Sequence, residues 1–174
     1  MLYSELQCSE AIRKAVERMG FAEMTEIQEK TIPVMLAGHD VIAKAPTGTG
    51  KTCAFGIPVA EHIDPEKKYP QAVIMAPTRE LAQQIAEELT ELTYFMPEVQ
   101  VACVYGGANM EKQARRLAEG CQIVVATPGR LMDHYKHHSI DLAHVTQVVL
   151  DEADEMLNMG FYKDVRHIIE LMKA

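Results

Sequence analysis

Ala45-Pro46-Thr47-Gly48-Thr49-Gly50-Lys51-Thr52 follows the apolar run Val41-Ile42-Ala43 and precedes a helix-capable segment. The spacing predicts a strand, an anion-cradling loop and a helix start. Small residues let successive backbone N–H groups turn inward on an anion, and the positive end of the following helix adds to the attraction. Thr47, Gly48, Thr49 and Gly50 supply that cradle, Lys51 reaches the outer phosphates, and Thr52 carries a hydroxyl where a P-loop places one on Mg²⁺. The general pattern opens with Gly where this chain has Ala45. An ordinary Gly-rich strand-to-helix turn is the competing reading of the loop taken alone.

A chain of 174 residues with 48% hydrophobic content suits one domain large enough to bury its own core. A formal net charge of −8 argues against indiscriminate binding to polyanions, which rests on Lys and Arg neutralising phosphates. Any nucleic-acid contact is therefore expected to be local. Cys8, Cys53, Cys103 and Cys121 are scattered, without a C-x-x-C pair, and are expected to be reduced thiols of a cytoplasmic protein. The start of the chain shows no basic region followed by an apolar run, and no stretch reaches the ~18 apolar residues that span a bilayer. Secretion and membrane insertion are not expected. No repeat or low-complexity tract stands out.

Ser9 to Met19 places Ile12, Ala15, Val16 and Met19 on one helical face, with Ser9 as cap and Gly20 as stop. A second helix is expected from Thr25 to Gly38, bent at Pro33. Thr25-Glu26-Ile27-Gln28 spells a capping box, and on local physics capping is the better reading of Gln28. From Val41 onward, strand-like runs at Val41–Lys44, Ala72–Ala76, Gln100–Val104, Gln122–Ala126 and Val145–Leu150 alternate with helical patterns. That alternation predicts an α/β fold, a three-layer parallel β-sheet with helices on both faces. After Arg79, Leu81, Ile85, Leu89 and Leu92 form one apolar stripe expected to pack on the sheet.

Right-handed crossovers put all strand C-termini on one edge, where open α/β sheets bind their ligands. The loops expected there are the phosphate loop, Pro77-Thr78-Arg79-Glu80-Leu81-Ala82, the Gly106-Gly107 pair, Thr127-Pro128-Gly129-Arg130, and Asp151-Glu152-Ala153-Asp154. Val148-Val149-Leu150 delivers Asp151 and Glu152 to the same edge as Lys51. Asp151 is the candidate Mg²⁺ holder, directly or through water, and Glu152 the candidate base for the attacking water. Lys51, Thr52, Asp151 and Glu152 around one triphosphate make a phosphoryl-transfer site, whose work is positioning and charge neutralisation. The bland alternative is that the three acidic residues simply open a helix.

With A-P-T-G-T-G-K-T, P-T-R-E-L-A, Gly106-Gly107, T-P-G-R and a literal D-E-A-D in this order, the chain resembles the first RecA-like domain of DEAD-box ATP-dependent RNA helicases over essentially its whole length. The resemblance implies a P-loop NTPase domain with ATP and Mg²⁺ as cofactors, in which residues 1–38 hold N-terminal helices and residues 39–174 the helicase ATP-binding part. It implies that Gly20-Phe21 through Gln28 is an adenine-reading motif, with Tyr3 and Phe21 as its aromatics, and so revises the capping role of Gln28. Met24 and Glu26 stand where the family has two prolines. A side-chain amide can still donate to and accept from an adenine edge. By the same resemblance, Pro77, Thr78, Arg79, Gly106, Gly107, Thr127, Pro128, Gly129 and Arg130 face RNA. Gly and Thr offer N–H and hydroxyl groups to phosphates, so binding is expected to be independent of sequence. Asp154 is implied to couple nucleotide state to a downstream Ser-Ala-Thr motif that does not occur here.

His134, His137 and His138 cluster without a further ligand at metal spacing and are expected to be a solvated helix end, not a zinc site. Met156, Met159 and Met172 are expected to fill core or helix faces. The chain is expected to be a monomeric fragment, a second RecA-like domain being the partner that the resemblance implies. The expected function is the ATP-binding half of an RNA-dependent ATPase and helicase that remodels RNA duplexes or ribonucleoproteins. The alternatives are a nucleotide-dependent RNA or protein binding module without turnover and, more weakly, a small-molecule kinase.

Overall fold

The computed structural model describes residues 9–20, 32, 35 and 51–173, which group into two compact units. One holds the described residues up to Ile63 together with Glu87–Pro97; the other holds Asp64–Ala86 and Glu98 onward. The Val41–Lys44 strand and residues Thr47, Gly48, Thr49 and Gly50 of the phosphate loop lie outside the described residues. So do Tyr3, Cys8, Phe21, Gln28 and most of the second expected helix. Ile32 and Met35 of that helix are helical, and Ile32 is fully buried.

In the first unit, α1 spans Glu10–Arg18 and α2 spans Lys51–Glu61. Ser9 caps α1 by accepting from the Ile12 N–H at 3.4 Å, and Ile12, Ala15 and Val16 form its buried face. Both carboxylate oxygens of Glu61 accept from the Ser9 N–H, at 3.1 and 2.9 Å. A negative charge thereby sits where the dipole of α1 is positive, and an orphan donor is satisfied. Gly20, with φ of 87°, follows the helix as its stop. Gly56 lies on the face of α2 towards Leu89 and Leu92, where an added Cβ would meet the Leu92 Cδ1 at 2.8 Å.

The second unit is built on four parallel strands: β1 (Ala72–Met75), β2 (Val101–Val104), β3 (Ile123–Ala126) and β4 (Gln147–Leu150), in the order β2-β3-β1-β4. Between them run α3 (Arg79–Leu92), whose residues from Glu87 onward belong to the first unit, α4 (Met110–Ala118) and α5 (Pro128–Lys136), and α6 (Ala153–Asn158) and α7 (Tyr162–Lys173) follow. Parallel pairing needs these crossover helices. One face of the sheet packs Val73, Met75, Ala102, Val104, Val124 and Ala126 against Leu117, Leu131, Met132, Met156 and Ile168. Ile74, Ile123 and Val125 on the opposite face are also fully buried. With both faces covered, β1 and β3 read as continuous apolar runs rather than alternating ones.

Three strands begin later than the sequence suggests. Gln100 and Gln122 stop just short because Gln122 caps the N-terminal edge of the sheet: its Oε1 accepts from the Gln100 N–H at 2.8 Å and its Nε2 donates to the Glu98 carbonyl at 2.9 Å. β4 starts at Gln147 rather than Val145, where the Thr146 and Gln147 N–H groups share the Gln71 carbonyl. On α3 the buried stripe is Ala82, Ile85, Leu89 and Leu92; Leu81 is only partly buried. Burial follows Ala82 because its position is in phase with Ile85 and Leu89 at helical spacing. No helix among the described residues is long and apolar enough to cross a membrane.

Candidate functional site

Met75 stands level with Ala126 and Leu150, and Ala126 with Val104. The ladder continues past the strand ends: Thr127 N–H donates to the Val104 carbonyl (3.1 Å), Ala76 N–H to Ala126 (3.0 Å) and Asp151 N–H to Met75 (2.9 Å). Parallel register therefore delivers four chain exits to one edge, in the order Tyr105, Thr127, Ala76 and Asp151. The loops singled out by sequence in this unit follow those exits.

Each loop leads into a helix whose first N–H groups have no intrahelical carbonyl to reach. Thr78 caps α3, its Oγ1 accepting from the Leu81 N–H at 3.2 Å, while its hydroxyl proton stays available to an outside acceptor. Thr127 is the N-cap residue of α5 without a side-chain cap bond, and Pro128 takes the first helical position, where a missing N–H costs nothing. Gly107 has φ of 84°, a conformation that favours glycine, and Gly106 is exposed with open space where a Cβ would be. Arg79 is exposed, with Nη1 3.8 Å from the Cβ position of Gly107 and its guanidinium 5.6 Å from the centre of the Tyr105 ring. The structure thus brings Arg79, Tyr105 and Gly107 together from two different loops.

Arg130 is placed differently from an outward-facing arginine. Its side chain is only 13% exposed, with Nη1 donating to the Ala108 carbonyl and to Gln113 Oε1, both at 3.1 Å, and Nε 3.6 Å from Asp133 Oδ2. Gln113, Tyr105, Gln83 and His134 form the polar network around it, and of these only His134 stands out in the sequence, as one of three clustered histidines. A signal was present: Gln113 lies four residues before Leu117 on the buried face of α4, where an amide must find partners.

His134 corrects the expectation of a solvated histidine cluster. It is fully buried, with Nε2 3.0 Å from Gln113 Oε1, whereas His137 and His138 are exposed. The cause is helical phase, since His134 follows Leu131 by three residues on the core face of α5. Burial, reinforced by the Arg130 cation and opposed by Asp133, lowers its pKa below the ordinary 6.5. The unfolded chain then binds a proton in a range where the native state does not, so this contribution to stability is complete above about pH 6.5 and is lost as pH falls below it. Melting curves should show the midpoint falling between about pH 7 and about pH 5.5, with a smaller fall in His134→Gln. Equal falls in both would remove His134 as the cause. Among the described residues no group of three or more His, Cys, Asp or Glu is arranged to hold a metal ion.

Asp151 is 4% exposed at the end of β4, next to Met75. A carboxylate at that position fits Mg²⁺ through oxygen or through an intervening water. Glu152, the next residue, has φ 53° and ψ 51° and precedes α6. Asp154 is exposed in the first turn of that helix. In the other unit Lys51 and Thr52 are the first residues of α2. Met156 is buried and Met159 is exposed. The Cys103 and Cys121 thiols are both pushed up to about 11 by burial, Arg116 partly offsetting this at Cys121, so neither is a nucleophile near neutrality.

A family model for the DEAD/DEAH box helicases matches residues 25–174. The chain is 52% identical over 170 residues to "ATP-dependent RNA helicase CshA" of Limosilactobacillus reuteri, across 98% of this chain and 34% of that protein. It is 46% identical over 167 residues to "ATP-dependent RNA helicase DeaD" of Escherichia coli, across 96% of this chain and 27% of the relative. The crystal structure of a DEAD box protein from Methanococcus jannaschii superposes with a TM-score of 0.90 at 40% identity, covering 98% of this chain and 47% of that one. A hypothetical ATP-dependent RNA helicase from Sulfolobus tokodaii gives a TM-score of 0.85 at 41% identity, covering 95% and 47%. The chain spans about a third of the length of these curated relatives. Its parallel sheet with intervening helices has the RecA-like fold of the solved neighbours. Fold, motif order and the matched residues lead to one conclusion: the chain belongs to the DEAD/DEAH box helicase family.

Proposed function

We propose that the chain is the ATP-binding half of an RNA-dependent ATPase and RNA helicase, acting on RNA duplexes or ribonucleoproteins in the cytoplasm. The observation that carries this reading is the shared edge on which Arg79, Gly106, Gly107 and the Thr127–Arg130 turn stand in a row ending at Asp151. Hydroxyls, helix-start N–H groups and one exposed guanidinium suit a phosphate backbone, which carries no sequence information. Pro77 and Pro128 fix the turns that present them.

ATP is held by Thr47, Gly48, Thr49, Gly50 and Lys51 of residues 39–174 on the phosphates and by Tyr3, Phe21 and Gln28 of residues 1–38 on the adenine. Thr52 and Asp151 are the residues that would hold Mg²⁺, which when bound would supply neutralisation of phosphate charge. Glu152 takes the proton of the attacking water, and Asp154 couples to the second RecA-like domain, the chain's partner in the whole protein. By itself the chain is a monomer.

Two experiments test the two halves of this reading. Lys51→Ala should weaken ATP·Mg²⁺ binding by about 1.5–3 kcal/mol, the loss of a charge-assisted contact, as read by calorimetric titration. An unchanged affinity would sink the phosphate-loop assignment. Arg79→Ala should weaken binding of labelled single-stranded oligonucleotides alike for different base compositions and lower the salt slope by about 1. A base-selective loss would instead mean that the edge reads sequence.

A further inference from the structure

The carbonyls on either side of the Gly106-Gly107 pair are both held by buried side chains. Gln113 is 8% exposed; its Nε2 donates to the Tyr105 carbonyl at 3.0 Å, and its Oε1 accepts from Arg130 Nη1 at 3.1 Å. The same Arg130 Nη1 donates to the Ala108 carbonyl at 3.1 Å. His134 Nε2 stands 3.0 Å from the same Gln113 oxygen. With Arg130 a donor only, the amide oxygen must face it, and His134 is then the Nε2–H tautomer donating its proton there. The Gln113 amide is thereby satisfied at both ends, as a buried amide requires, while Arg130 Nε and His134 Nδ1 have no hydrogen-bond partner among the described residues.

A trans peptide is planar, so its N–H points opposite to its C=O. With the Tyr105 carbonyl turned towards buried Gln113, the Gly106 N–H faces away from the core. With the Ala108 carbonyl turned to Arg130, the Asn109 N–H does likewise. Neither glycine has a side chain to bias the peptide planes, and Gly106 has nothing within 4 Å of its Cβ position. The orientation is therefore imposed from outside the loop.

We propose that Gln113 is a positioning residue for RNA binding: by fixing the Tyr105 carbonyl it aims the Gly106 N–H at an RNA phosphate, with Arg130 holding the Ala108 carbonyl on the far side of the turn. This rests on the RNA-binding reading of the edge given above. It also gives Arg130 a role at that edge that needs no direct contact with RNA.

The test measures affinity of the 174-residue chain for fluorescein-labelled oligouridylate at low salt, alongside melting curves. Gln113→Met keeps the volume and removes every hydrogen bond; it should weaken binding about 10-fold. Gly106→Pro removes the N–H that Gln113 is inferred to aim, and in that background Gln113→Met should change affinity less than about 2-fold. An equal 10-fold loss in both backgrounds is what general destabilisation would give and would overturn the proposal, as would unchanged affinity in Gln113→Met. If Gln113→Met does not fold, Gln113→Glu replaces it in the same cycle: its carboxylate keeps the acceptor for Arg130 and His134 and repels the Tyr105 carbonyl, so the same non-additivity is expected, and additivity overturns the proposal. Arg79→Glu separates the two levels. If it weakens binding while Gln113→Met does not, the positioning role fails and the RNA edge stands; if neither has an effect, the edge itself is wrong.

Discussion

Phosphate release by the 174-residue chain, saturated with ATP·Mg²⁺ and RNA, is expected to be ~10³–10⁵ slower than release by the same chain joined to a C-terminal RecA-like domain, the range that an arginine finger supplies in phosphoryl transfer. Several of the described arginines are engaged elsewhere. Arg130 is held by Ala108 and Gln113, Arg116 by Gly120, Val101 and Glu119, and Arg166 by Glu170, while Arg79 stands beside Gly107. In the first unit, Arg18 stacks 3.8 Å from the centre of the Tyr94 ring. The joined chain should also gain RNA stimulation and separate a short duplex, since two domains can close on ATP and RNA together. Rapid RNA-stimulated hydrolysis by the chain alone would refute the two-domain account. A joined chain that binds ATP and RNA without turnover would make the protein a nucleotide-dependent binding module.

That the loops share one edge was legible because it follows from parallel strands and right-handed crossovers, whereas the spatial order β2-β3-β1-β4 was not. Apolar runs of four or five residues marked β1 and β3 closely, and Asp151, Thr127 and Pro77 fall where those runs end. Motif spacing could not reveal how Arg130 is used. An arginine at a turn is equally compatible with facing a phosphate and with bracing a neighbouring loop, and the choice depends on Gln113, seventeen residues earlier in the chain. His134 was misjudged for a related reason: adjacency to two exposed histidines is a sequence property, while burial is set by its phase on α5. Leu81 and Ala82 show the same limit on α3, where hydrophobicity named one residue and geometry buried the next.

Glu152 joins backbone strain and catalysis in one residue, and glycine and alanine at this position should tell the two apart. Its φ of 53° and ψ of 51° are left-handed, a conformation that costs a side-chain-bearing residue about 1 kcal/mol and that glycine adopts freely. Strain of this kind persists where surrounding structure over-determines the backbone, and here the Asp151 N–H is anchored to Met75 on one side while α6 begins at Ala153 on the other. Glu152 caps α6 without a side-chain bond to the helix, so removing its carboxylate takes no cap away. Glu152→Gly should therefore melt above Glu152→Ala, which keeps the Cβ and the strain, by the few degrees that about 1 kcal/mol represents in a chain of this size. In the joined two-domain protein, Glu152→Gly, Glu152→Ala and Glu152→Gln should all lose hydrolysis by ~10²–10⁴, the range for a general base, while ATP affinity is retained. Glu152→Gln is the informative member, since it keeps size and polarity and removes only the capacity to take a proton. If Glu152→Gln turns over at the parent rate, Glu152 is not the base; if Glu152→Ala melts as high as Glu152→Gly, the left-handed turn after Asp151 carries no strain for catalysis to use.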